Sequence, residues 1–166
     1  MLSNGYRAAV ITASDKGYAG QRDDLSGKFL TDSLEKEGWQ VVSYRVLPDD
    51  KEALAAEMTR LADDNLCDLI LTTGGTGLSP RDVTPEATLS VADRLVPGIS
   101  EAMRAFSMTI TARAMLSRGI SVTRKKTLII NMPGSKKAVQ ECFEVISGVL
   151  FHAVNTLRGE SGDCAR

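Results

Sequence analysis

Two aspartates and a run of glycines are the residues of this chain best suited to chemistry. The stretch Leu69-Ile70-Leu71-Thr72-Thr73-Gly74-Gly75-Thr76-Gly77-Leu78-Ser79-Pro80-Arg81-Asp82-Val83-Thr84-Pro85 begins as an apolar, branched run and stops at two threonines and three glycines. That pattern reads as a buried strand delivering a ligand loop. Glycines adopt positive φ without a Cβ penalty, so successive backbone N–H groups can converge on an anion. Asp82 follows in the same loop, placed to hold a cation against a bound phosphate. The four residues Gly74 to Gly77 would equally suit an ordinary turn. The loop matches neither Gly-x-x-x-x-Gly-Lys-Ser/Thr nor Gly-x-Gly-x-x-Gly, so a phosphate site here is of a different kind.

Three more loops carry polar residues directly after apolar runs. Ser14 and Asp15 either cap a turn or line a site. Asp49, three residues before Glu52, reads either as a capping-box residue or as a catalytic acid; both hold only if its carboxylate is not committed to helix N–H groups. Asn131-Met132-Pro133-Gly134-Ser135 is a rigid turn ahead of a helix.

The elements that must position these loops follow from periodicity. Residues 7–12 read as a first strand, with a long polar loop to Asp24 and a helix over 26–37 ended by Gly38. A second strand spans 39–47 and stops at Pro48. Asp49 and Asp50 open a helix running to about Asn65. After the central strand, Thr84-Pro85-Glu86 starts a helix, Pro97-Gly98 breaks it, and another runs from Ile99 through Met103 and Phe106. Residues 110–118 show no clean period. Strands at 120–123 and 127–131, joined by Arg124-Lys125-Lys126, read as an antiparallel hairpin. The clearest helix carries Val139, Cys142, Phe143, Ile146, Val149, Leu150, Val154 and Leu157, and residues 159–166 read as a frayed tail. Strands alternating with helices predict a single three-layer α/β/α domain, residues 1–166, with a mostly parallel mixed sheet. In such a fold the four polar loops share the carboxyl edge of the sheet, where ligands bind.

Composition narrows the classes. The chain has 166 residues, 43% hydrophobic content and five prolines, enough for one substantial core. Twenty basic and twenty-one acidic residues nearly cancel, so no charge footprint for nucleic acid or membrane is expected. Cys67, Cys142 and Cys164 have no metal or redox spacing, and the single histidine, His152, cannot assemble a zinc site with ligands so scattered along the chain. With no leader pattern and no membrane-length apolar run, a soluble cytoplasmic protein is expected.

Several ordered blocks then carry a resemblance. Thr72-Thr73-Gly74-Gly75-Thr76-Gly77, Pro80-Arg81-Asp82-Val83-Thr84-Pro85-Glu86-Ala87-Thr88, Leu47-Pro48-Asp49, Met115-Leu116-Ser117-Arg118 and the run from Lys126 to Lys137 resemble the molybdopterin adenylyltransferases. That group includes the bacterial MogA and MoaB proteins, a plant G domain and the gephyrin G domain, and the similarity covers nearly the whole chain. The resemblance implies a MogA/MoaB-like fold and an enzyme of molybdenum cofactor biosynthesis, in which the terminal phosphate of molybdopterin attacks the α-phosphate of Mg-ATP. The nucleophile is already ionised, so no strong general base is required.

By matched position, the resemblance implies Asp49 and Asp82 as the functional acids, with Asp82 as the Mg²⁺ ligand. It implies Gly74, Gly75, Thr76 and Gly77 as the phosphate cradle, assisted by the Thr73 hydroxyl. Ser14, Asp15, Asn131, Pro133, Gly134 and Ser135 would line the pterin and nucleotide pockets. Arg81 would either pair with phosphate or brace the loop. A homotrimer is implied, with the methionine-bearing middle segment as its contact, and a separate MoeA-like protein would insert the metal. The loop from Lys16 to Asp24 varies among relatives and does not indicate which ligand it touches. Two other readings stay open: a pterin-binding or scaffold module that does no chemistry, and an enzyme acting on another phosphorylated small molecule.

Overall fold

In the computed structural model, which describes residues 5–160, six strands form one sheet in the order β2-β1-β3-β6-β5-β4. The strands are β1 (Arg7–Ala13), β2 (Gln40–Leu47), β3 (Leu69–Thr73), β4 (Arg94–Leu95), β5 (Ser121–Arg124) and β6 (Thr127–Met132). Strands β2, β1, β3 and β6 run parallel, while β5 pairs antiparallel with β6 and β4 antiparallel with β5. The expected hairpin is present, with Arg124 opposite Thr127 and Lys125 at φ +49° in the turn.

The helices are α1 (Asp15–Tyr18), α2 (Leu25–Lys36), α3 (Lys51–Asp63), α4 (Thr84–Ser90), α5 (Pro97–Met108) and α6 (Lys136–Arg158). Alternation along the strands explains the layers. Ala8, Val10, Leu69, Leu71, Leu128 and Ile130 face one core with residues of α2, α5 and α6. Ala9, Ile11, Ile70 and Ile129 face the other, with Leu54, Met58 and Leu61 of α3 and Ala87 of α4. Helices therefore cover both faces, and every residue of β3 is buried.

Register aligns the strand ends. Thr12 lies opposite Thr73, Thr73 opposite Met132, and Ala13 opposite Leu47. The chain therefore leaves four neighbouring parallel strands at one rim, which gathers the loops after β1, β2, β3 and β6.

Local differences from the sequence reading have local causes. The loop before Asp24 contains the short α1, capped by the Ser14 hydroxyl, which accepts the Gly17 N–H at 3.0 Å. Helix α5 begins at Pro97 rather than Ile99, because proline suits a first helical turn. Trp39 stays outside β2 and stacks on Phe151 of α6, centroids 4.5 Å apart. The aperiodic segment 110–118 holds a 3-10 turn at Ala112–Leu116. Gly159 ends α6 at φ +76°; of the expected frayed tail, residues 161–166 lie outside the described residues.

Candidate active site

The glycine turn after β3 owes its shape to neighbours that leave no room for a side chain. Gly74 has φ +89°, and a Cβ there would sit 2.4 Å from the Ala13 carbonyl oxygen. Gly75 has φ +67°, and its Cβ would sit 2.4 Å from Thr84 Oγ1. Four successive carbonyls of the turn are committed to protein donors. Thr84 Oγ1 donates to Gly74 O at 2.9 Å and Thr84 N to Gly75 O at 3.1 Å. Arg118 N donates to Thr76 O at 2.9 Å and Arg118 Nε to Gly77 O at 2.8 Å. Those oxygens would repel an anion, and here they are engaged elsewhere.

The turn opens onto a polar cavity of about 660 Å³. Its wall brings together Ser14 after β1, Asp49 after β2, Thr73, Gly74, Gly75 and Asp82 after β3, and Gly134 and Ser135 after β6. Thr76 and Gly77 do not reach this wall. Thr73 does, but its hydroxyl proton goes to Pro133 O at 2.6 Å, tying the end of β3 to the turn after β6. A hydroxyl has one proton to give, so in this arrangement the Thr73 oxygen faces the cavity as an acceptor only.

The acids are held by backbone amides. Asp15 N donates to Asp49 Oδ2 at 3.0 Å, and Asp49 N donates to Asp15 Oδ1 at 3.0 Å. The cap of α3 is Asp50, whose Oδ1 accepts the Ala53 N–H at 2.8 Å, so the capping-box reading of Asp49 is corrected and its carboxylate is free of the helix. Burial pushes the Asp49 carboxyl above its ordinary range; the Asp15 backbone bond opposes this, and the Asp15 and Asp82 carboxylates add to it. Asp82 Oδ2 accepts the Ser79 N–H at 3.1 Å. A Cβ on Gly77 would lie 2.8 Å from that same oxygen, so the carboxylate packs directly on the turn.

Arg81 braces rather than standing free. Its Nε and Nη2 each donate to Asp15 at 3.0 Å, a bidentate pair whose two side chains are 64% and 43% exposed. The guanidinium holds the Asp15 carboxyl below its usual range, with the Asp49 backbone bond contributing.

The turn after β6 divides between two cavities. Gly134 approaches the glycine turn so closely that its Cβ would lie 3.3 Å from Gly74 Cα, and its carbonyl accepts the Ser26 hydroxyl at 2.8 Å. Ser135 caps α6, accepting from Ala138 N at 3.3 Å. Asn131 and Pro133 instead border a smaller, mainly apolar cavity of about 230 Å³ between α5, the 3-10 turn and α6, with Met103, Ser117 and Cys142. Asn131 is 2% exposed. Its Nδ2 donates to Thr72 Oγ1 at 3.0 Å and Thr88 Oγ1 at 2.9 Å, and its Oδ1 accepts from Ile120 N at 3.2 Å. Those bonds fasten β6 to β3 and α4, and they leave Asn131 at the wall of the smaller cavity rather than the polar one.

Sequence reasoning missed several wall residues. Arg22, Asp23, Asp24 and Lys136 also border the polar cavity. Asp24 caps α2 through Gly27 N at 2.9 Å and accepts the hydroxyls of Thr12 at 2.5 Å and Tyr44 at 2.6 Å. Burial and that carboxylate push the Tyr44 hydroxyl pKa up. The cap signal of an aspartate two residues before Ser26 was available; the two hydroxyl partners were not. Among the described residues no cluster of three or more histidine, cysteine or acidic side chains could hold a metal by itself. No helix among them is long and apolar enough to cross a membrane.

Comparison with known proteins gives the family and the fold. Residues 9–152 match the family model described as "Probable molybdopterin binding domain". The molybdopterin adenylyltransferase of Helicobacter pylori (strain J99) is 36% identical over 152 residues, covering 90% of this chain and 86% of that protein. The molybdopterin adenylyltransferase of Escherichia coli (strain K12) is 39% identical over 159 residues, covering 91% and 80%. The crystal structure of the molybdopterin biosynthesis enzyme MoaB from Thermus thermophilus superposes with a TM-score of 0.87 at 42% identity, covering 93% of this chain and 97% of that one.

Proposed function

Because this chain belongs to the molybdopterin-binding family that contains the molybdopterin adenylyltransferases, we propose that it adenylylates molybdopterin in molybdenum cofactor biosynthesis. A terminal phosphate oxygen of molybdopterin forms a bond to the α-phosphorus of ATP, the bond to the β-phosphate oxygen breaks, and pyrophosphate leaves. The observation that carries this reading is the meeting of Asp49 and Asp82 with the glycine turn on one polar cavity.

The donor set fits Mg²⁺. Asp49 and Asp82 each use one carboxylate oxygen on a backbone N–H, and among the described residues the other oxygen of each has no protein donor. Two carboxylates are too few to cage a metal, and Mg²⁺ is commonly bound by one or two carboxylates plus substrate phosphates. Bound there, Mg²⁺ would neutralise phosphate charge during transfer. Asp82 is the primary ligand in this reading and Asp49 its companion.

The chain's own residues supply position. The turn at Gly74 and Gly75, with its carbonyls turned away into protein bonds, receives the phosphates. Ser14, Gly134 and Ser135 border the nucleotide, and Lys136 and Arg22 provide positive charge at the same wall. The apolar lining of the smaller cavity suits the pterin ring, with Asn131 and Pro133 as shared wall, so that its phosphate meets the nucleotide at the Pro133-Gly134 turn. Asp15 and Arg81 hold Asp49 in place, and Arg81 is exposed enough to exchange Asp15 for a phosphate. The nucleophile needs no base, which suits a site without histidine.

This reading further takes the chain as one domain working in the cytoplasm as a homotrimer, with a MoeA-like protein inserting the metal downstream. In support of self-assembly, Phe106, Met108, Ile110, Met115 and Leu116 are 41–58% exposed on and beside the end of α5. The test of function is pyrophosphate release from ATP by the purified protein with molybdopterin and Mg²⁺. Release that requires all three supports the reading; molybdopterin binding without release would favour a binding module.

A further inference from the structure

Arg118 connects the two cavities. Its chain neighbours Ser117 and Gly119 border the smaller cavity, and Arg104 Nη1 donates to their carbonyls at 3.3 and 2.8 Å. Arg118 itself reaches the loop that borders the larger one. Its backbone N–H donates to Thr76 O at 2.9 Å, Nε to Gly77 O at 2.8 Å and Nη2 to Asp82 O at 2.8 Å, while Nη1 pairs with Glu86 of α4. One guanidinium thus holds both ends of the Gly77-to-Asp82 loop and fastens them to a helix.

The Asp82 carboxylate depends on that hold. It packs against Gly77 and accepts from Ser79 N, so its position follows from the backbone between them. A planar five-donor fork can serve three separate acceptors, and the compact ammonium of lysine lacks that fork.

We propose that Arg118 is a positioning residue for adenylyl transfer, setting the Asp82 carboxylate at the polar cavity and tying it to the wall of the smaller one. The inference rests on the reading of Asp82 as the cation ligand. Arg118 touches no reacting atom; it acts through Asp82.

The test compares Arg118→Ala, Arg118→Lys and Glu86→Gln in the full chain. It measures kcat, the KM for molybdopterin and ATP, and the Mg²⁺ concentration giving half-maximal rate. Loss of a positioning contact should lower kcat about tenfold or more in Arg118→Ala and raise the Mg²⁺ requirement several-fold. Arg118→Lys should recover little, and added guanidinium should restore part of the Arg118→Ala rate. Glu86→Gln, changing an exposed carboxylate, should shift the Mg²⁺ requirement in the same direction by a smaller factor.

A purely structural arginine would lower melting temperature while leaving the Mg²⁺ requirement of the folded fraction unchanged, and that result overturns the proposal. If Arg118→Ala does not fold, an unchanged Mg²⁺ requirement in both other variants overturns it. Asp82→Asn separates the two claims. Wild-type turnover there removes the cation reading itself, whereas an inactive Asp82→Asn beside unaffected Arg118 variants removes only the positioning role.

Discussion

Asp15 and Asp49 each accept the other's backbone N–H, both at 3.0 Å, which locks the loop after β1 to the loop after β2. The same Asp15 carboxylate receives Arg81 from the loop after β3. One side chain therefore fixes three of the loops that wall the polar cavity. Asp15→Ala leaves the Asp49 N–H and Arg81 without their acceptor, so kcat/KM should fall about tenfold. The fall should exceed that of Asp50→Ala, which removes only a helix cap. Steady-state kinetics of the two variants check this; equal effects would contradict it.

Asp49 is expected to show a conflict between stability and activity. Its folded pKa lies above its ordinary value of 3.8, chiefly through burial. Ionisation therefore costs the folded state more than the unfolded chain, and this group's effect lowers stability as pH rises through the folded pKa. Asp49→Asn removes the charge and can still accept the Asp15 N–H. It should melt no lower than wild type at pH 7 while losing most activity. In the wild type, the acid limb of kcat/KM should lie above the usual aspartate value, because protonation removes the carboxylate that the cation needs.

The glycine turn offers a paired test. Gly74→Ala forces a Cβ to 2.4 Å from a backbone carbonyl at φ +89°. It should cost about 2 kcal/mol or more and abolish turnover. Gly148, inside α6, has nothing within 4 Å of its Cβ position. Gly148→Ala should stabilise by about 0.5–1 kcal/mol with activity retained. Denaturant melts of both variants read these differences.

The proposed homotrimer would bury the exposed apolar row beside α5. Light scattering should give the mass of three copies, and Ile110→Glu with Met115→Glu should reduce it to one. A monomeric wild type would contradict this.

Much of this architecture is written locally in the sequence. Residues 69–73 and 127–131 are short branched runs because those strands are buried on both faces, and the stripe of α6 shows because one long helix packs on one core. Asp82 and the glycines stand out for the same reason, since their loop directly follows such a strand. What was hidden depends on partners distant in the chain. Whether Asp49 or Asp50 caps α3 is decided by Asp15, thirty-four residues earlier. That Asn131 also fastens β6 to its neighbours is visible only through Thr72, Thr88 and Ile120, which lie far from it in the chain. The two-residue β4 is too short to leave a period, and the Arg118 contacts join segments more than thirty residues apart.

The most direct test is single-turnover formation of adenylated molybdopterin from molybdopterin, ATP and Mg²⁺, comparing wild type with Asp82→Asn alongside molybdopterin binding. The expected result is product with wild type, at least about a hundredfold slower formation with Asp82→Asn, and molybdopterin affinity changed by no more than about threefold. Wild-type rates in Asp82→Asn, or no adenylated product from a folded wild-type protein, would contradict the account.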